Sequence, residues 1–200
     1  MMRTFAVILL SLLFSGTIAA QKKFEAGLWA GPVATQMSGD GLAGWDKLGF
    51  SGGAWVRTNL NEKWRITGGL QFTNKGSRTE RDTITFVNFA YHLNYIEMPI
   101  TAGYLWRHWE FQLGVVPGIL ISQEIRTNTV NTEINPPFQS YELGGVASGI
   151  FSFTEKFALG TRFMSSILPV RPTPNFANRF SYYERGNYHQ VLNFLVQYRF

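Results

Sequence analysis

The chain has 200 residues, of which 45% are hydrophobic, 16% aromatic and only 16% charged, with a formal net charge of +5 and no cysteine. An average soluble domain carries about 25% charged residues, so this composition is poor in charge and rich in rings for a protein bathed in water. The lack of cysteine excludes disulfides, thiolate metal sites and lipid attachment through cysteine, and basic residues scattered rather than clustered speak against nucleic-acid binding.

The chain starts with the basic Met1–Arg3, followed by Phe5–Phe14, which is apolar apart from Ser11. Small residues ending in Ala19-Ala20 come next, then Gln21-Lys22-Lys23. This is the layout of a secretory signal peptide cut after Ala20. The apolar run is too short to span as a helix, which takes about 20 apolar residues. Residues 21–200 are then one domain by length.

Strands are expected near Phe24–Gln36, Lys47–Leu60, Trp64–Lys75, Phe89–Leu105, Glu110–Ser122, Tyr141–Phe153, Phe157–Leu168 and Tyr188–Phe200. Successive side chains of a strand point to opposite faces. In the second, Leu48, Phe50, Ala54 and Val56 oppose Ser51, Trp55 and Arg57. The third is the cleanest dyad, with Trp64, Ile66, Leu70 and Phe72 against Arg65, Thr67, Gln71 and Thr73. In the fourth, Ile96, Met98 and Ile100 oppose Tyr95, Glu97 and Pro99. Phe111, Leu113, Val115, Ile119 and Ile121 share one face of the fifth. The eighth alternates Leu192, Phe194, Val196, Tyr198 and Phe200 with mostly polar residues. The sixth strand and the start of the fourth alternate poorly, and their facing stays open.

Leu60-Asn61-Glu62-Lys63-Trp64, Trp106-Arg107-His108-Trp109 and Phe153-Thr154-Glu155-Lys156-Phe157 read as tight hairpin turns. Longer polar stretches lie between them, at Ser38–Asp46, Gly76–Asn88, Gln123–Ser140 and Pro169–Asn187. Long and short connections therefore alternate through eight strands. That asymmetry is typical of an eight-stranded antiparallel up-and-down transmembrane β-barrel of a bacterial outer membrane, with short turns in the periplasm and long loops outside. Trp64, Trp106, Trp109, Phe153, Phe157 and Phe200 gather at the short-turn end, as a membrane-interface girdle would. A soluble eight-stranded barrel would put its apolar face inside. Here the inward set contains Arg57, Arg65, Gln71, Lys75, Glu97, Gln112, Glu142, Arg162, Asn193, Gln197 and Arg199. These groups suit a polar lumen, in which Glu97 and Glu142 are each expected to pair with an arginine such as Arg57, Arg65 or Arg162.

Asn94-Tyr95-Ile96-Glu97-Met98-Pro99-Ile100 resembles the Tyr-Glu-Pro segment of outer-membrane β-barrel proteins common in Bacteroidetes, the porin-family or PorT-like proteins. Gly68–Phe72 with Lys75-Gly76-Ser77, and Phe111–Gly118, are similar to two Gly-containing strands of that family. The resemblance implies an eight-stranded outer-membrane barrel and no settled activity.

An interior this narrow is filled by its own side chains, so a wide pore is not expected. A structural role, or binding through the outer loops, is the leading reading. A narrow porin-like passage for small solutes, a lipid- or peptide-bond hydrolase, and a component of a secretion or gliding complex are the alternatives. The sequence has no nucleophile, zinc or phosphate-loop motif, and no catalytic, cofactor or metal residue is assigned. His189 with Ser181, or His92 with Ser77 or Ser140, are the pairs from which a hydrolase could be built. The candidate binding loop carries Arg171, Phe176, Arg179, Tyr182, Tyr183 and Arg185, a mix of basic and aromatic groups suited to lipid phosphates or a protein surface. Expected partners are outer-membrane lipid, the barrel-assembly machinery through the C-terminal strand, and an envelope protein of unknown identity.

Overall fold

Alternating side chains and hairpin turns bring the chain into one closed sheet. The computed structural model describes residues 24–38, 44–45, 47–78, 89–127, 137–172 and 186–200. The strands are β1 (Phe24–Ser38), β2 (Lys47–Asn59), β3 (Trp64–Arg78), β4 (Phe89–Glu97), β5 (Ile100–Trp106), β6 (Trp109–Thr127), β7 (Tyr141–Ser152), β8 (Phe157–Ser166), β9 (Arg171–Pro172) and β10 (Gly186–Arg199). They fill eight wall positions. β5 continues β4 between β3 and β6, and β9 adds two residues beside β10. All neighbours are antiparallel, and β10 pairs back onto β1 from Gly27↔Arg199 to Ser38↔Tyr188. Among the described residues closure pairs each of the eight wall positions on both sides, which matters where no water can satisfy a free N–H or C=O.

The expected fourth strand is split at Met98-Pro99, because proline has no N–H to give to the ladder. The wall stays bonded across the break. Met98 N–H donates to Pro117 O at 2.8 Å and Gly69 N–H to Pro99 O at 2.9 Å. Short side chains shape two of the tight turns. Asn61 Oδ1 accepts from the backbone of Lys63 and Trp64, and Thr154 Oγ1 from that of Lys156 and Phe157.

The outer face is apolar. Leu70 is 60% exposed and Leu113 68%, in a belt with Leu28, Val56, Val115, Leu159, Phe194 and Val196. So wide an apolar surface is not sustained in water. The six predicted ring residues, Trp64, Trp106, Trp109, Phe153, Phe157 and Phe200, are all exposed at the turn end. Some of them join through neighbouring rings, as in Phe153–Phe157–Tyr198–Phe200. Toward the loop end the outer face turns polar, with Gln36 bonded to Gln190 and Asn74 to Asn94.

The inside carries three apolar clusters. Met37, Tyr91, Leu93, Tyr95, Phe138 and Val170 pack near the loops. Val33, Val116, Val146, Met164 and Val191 fill the middle, and Trp29, Trp55 and Leu195 the turn side. The facing of β7 follows. Glu142, Val146, Ser148 and Ile150 point inward, while Tyr141, Leu143, Ala147 and Phe151 do not.

Candidate functional site

Charged side chains from neighbouring and from more distant strands meet in the lumen in two networks. The upper one is centred on Lys75 of β3. Its ammonium lies 2.5 Å from Glu97 and 3.0 Å from Glu142. Glu142 also accepts from Ser166 Oγ at 2.7 Å and faces His189 Nδ1 at 3.1 Å. Glu97 accepts from Thr73 at 2.6 Å and from Gln71 at 2.8 Å. Gln71 in turn accepts from Arg162 of β8 at 2.9 Å. Lys75, Glu97, Glu142, Arg162 and His189 are all buried. A charge removed from water costs several kcal/mol unless it is paired and hydrogen-bonded, and Lys75, Glu97 and Glu142 satisfy one another in this way.

The lower network lies at the turn end. Glu110 accepts from Arg57 at 2.9 Å, Arg65 at 3.1 Å and Gln112 at 2.7 Å. Glu25 accepts from Arg57 at 2.7 Å and Arg199 at 3.1 Å. The Trp29 and Trp55 cluster stands between the two networks. Arg162 caps Trp29 at 4.1 Å from its ring, and Arg57 caps Trp55 at 4.6 Å. Each cation gains a ring face in place of part of its hydration. Gly69 makes room for this, since a Cβ there would fall 2.6 Å from the Trp29 ring.

The expected partners of the interior carboxylates are corrected by this geometry. Glu97 and Glu142 both meet Lys75, not Arg57, Arg65 or Arg162. Arg57 and Arg65 lie lower in the barrel and pair with Glu110, and Arg57 also with Glu25. Arg162 forms no ion pair among the described residues and leans on Gln71, Ser148 and Trp29 instead. Glu25 and Glu110 sit at strand ends, where few neighbours establish an alternation and the sequence reading assigns no facing. The period-two register of Glu110 with Gln112 was the available clue.

Ser166, Glu142 and His189 come together, but not as a nucleophile and its base. The Ser166 hydroxyl donates to the carboxylate and accepts from the His189 backbone N–H at 2.9 Å. A catalytic serine gives its proton to the imidazole, and His189 is 0% exposed. Of the loop residues, Arg171 donates to Tyr91 Oη at 3.2 Å and lies over the Phe138 ring. Phe176, Arg179, Tyr182, Tyr183 and Arg185, like Ser181, lie outside the described residues.

A closed barrel with an apolar exterior and an ion-paired interior defines a membrane-spanning β-barrel. The chain belongs to the outer membrane protein beta-barrel domain family, whose model matches residues 19–170. Among solved structures, it is similar to Ail, the attachment invasion locus protein of Yersinia pestis. The two share 14% identity with a TM-score of 0.50, over 89% of this chain and 99% of that one. Neisserial surface protein A is also similar, at 11% identity and a TM-score of 0.51, over 88% of this chain and 97% of that one. At such identities the likeness is one of fold. No curated protein sequence matches.

Proposed function

We propose that this protein is a closed outer-membrane barrel without a wide pore, whose role is structural or is carried by its outer loops. The observation that supports this most is the bond from Arg162 on β8 to Gln71 on β3, with the Arg162 guanidinium stacked on Trp29 of β1. Side chains from three separated strands thus meet within a lumen that eight strands make only wide enough for side chains. The turn-end rings act as the periplasmic interface girdle, and the apolar belt meets outer-membrane lipid.

The first 20 residues act as a signal peptide removed after Ala20, and the C-terminal strand is read by the barrel-assembly machinery. The segment Asn94–Ile100 supports a place in the Bacteroidetes PorT-like branch. Arg171, held against Tyr91 and Phe138, anchors the start of the basic and aromatic loop at the outer mouth.

Liposome swelling in small sugars tests the absence of a wide pore. Proteoliposomes should swell no faster than protein-free liposomes, and rapid swelling would overturn the reading. Binding to vesicles that carry anionic outer-membrane lipid tests the loop. Replacing Arg171, Arg179 and Arg185 together by Gln should weaken it, and unchanged binding would leave the structural role alone.

A further inference from the structure

The turn end of the barrel forms an open basin of about 400 Å³, with Trp55 in its wall. Five cationic side chains line it, Arg57, Arg65, Arg107, Lys156 and Arg199, against a single acidic one, Glu155. Glu25 and Glu110, the two carboxylates that pair with Arg57, Arg65 and Arg199, are not part of the lining. The cavity wall therefore presents guanidinium groups, while their counter-charges sit outside it.

The donors are far from used up. A guanidinium carries five N–H groups. Arg65 gives one bond to Glu110, and Arg199 gives one to Glu25. Lys156 and Arg107 form no ion pair among the described residues. Arg107 also stands at φ 57, in the left-handed region where glycine costs less. The two-residue hairpin between Trp106 and Trp109 demands that φ at its first position, and the turn sets the Arg107 side chain over Trp106 at 5.5 Å, beside the cavity. With Glu25, Glu110 and Glu155 counted, cations still outnumber carboxylates around the basin, and a cleft with an excess of one sign of charge concentrates counter-ions.

We propose that this basin binds a small polyanion bearing phosphate or carboxylate groups. Arginine forks match both groups bidentately. The volume lies in the range of small-molecule sites, about 300–1,000 Å³, so an organic phosphate or a di- or tricarboxylate fits better than a lone inorganic ion. The site is at the mouth opposite the outer loops and needs no transport through the lumen.

The test is calorimetric titration of the whole folded protein in a non-ionic, phosphate-free detergent, with pyrophosphate and citrate as probes. At least one probe should bind with one-to-one stoichiometry and weaken steeply with salt. Binding of pyrophosphate alone would assign the phosphate class, and of citrate alone the carboxylate class. The double substitution Arg107→Gln/Lys156→Gln removes the two cations that hold no ion pair, so the barrel should keep its heat-dependent gel shift. Affinity should fall by roughly tenfold or more, about 1.4 kcal/mol per decade. Failure of both probes to bind at millimolar concentration would overturn the proposal. So would equal affinity in the double variant, or a loss of binding on Arg171→Gln at the other mouth.

Discussion

Lys75 Nζ lies 3.0 Å from both carboxylate oxygens of Glu142, reaching from β3 to β7 across the lumen, and 2.5 Å from Glu97. One ammonium thus compensates two buried carboxylates. Lys75→Met should remove their shared cation and destabilise the barrel by roughly 3–5 kcal/mol, the range for breaking a buried pair. Urea unfolding in detergent micelles measures this. The triple variant Lys75→Met/Glu97→Gln/Glu142→Gln should recover much of the loss. A loss below about 1 kcal/mol for Lys75→Met would mean that the pairs are solvated.

The lower network should behave as a coupled unit. Arg65 and Glu110 are 3.1 Å apart, with side chains 16% and 3% exposed. A double-mutant cycle with Arg65→Ala and Glu110→Gln should give a coupling of about 0.5–3 kcal/mol. Strictly additive losses would show that the contact contributes nothing.

Gly69→Ala probes the tryptophan partition. The new Cβ would lie 2.6 Å from Cη2 of Trp29, so the ring must move and Arg162 loses its stacking face. A cost of about 1–3 kcal/mol is expected from overpacking, together with a shift in tryptophan fluorescence. Unchanged fluorescence and an unchanged unfolding midpoint would contradict the close packing of Trp29.

The strands whose outward residues were all apolar were the easiest to read from sequence. β3 alternates Ile66 and Leu70 with Thr67, Gln71 and Thr73, and the structure keeps that facing. β7 resisted because Val146 and Ile150 point inward beside Glu142 and Ser148. A lumen accepts apolar side chains as well as polar ones, so apolar residues on both faces erase the dyad. The start of β4 resisted for a related reason. Tyr91, Leu93 and Tyr95 point inward into a cluster, while outward Asn94 bonds to Asn74 beyond the apolar belt. The pattern is inverted there, while the register shift opposite Asn94 and Tyr95 falls on β6, where Ile121 is passed over. The ion-pair partners were not legible at all. Facing follows from alternation, but height in the lumen depends on strand stagger, which puts Lys75 rather than an arginine level with Glu142.

Phe200 is 72% exposed, stacks edge-on against Tyr198, and its backbone N–H donates to Ala26 O at 3.1 Å. If the C-terminal strand is the assembly signal, deleting Phe200 should lower the heat-modifiable fraction recovered in outer membranes. The purified protein should still fold in detergent, since one terminal bond is lost. Normal assembly without Phe200 would remove that role.

If Arg162, Gln71 and Trp29 fill the lumen together, single-channel recording of the purified wild-type protein in a planar bilayer should give a quiet baseline, with no stable open steps at moderate voltage. Reproducible ohmic steps of the size given by a wide diffusion pore would contradict it, because Arg162, Gln71 and Trp29 could not then stand together in the lumen.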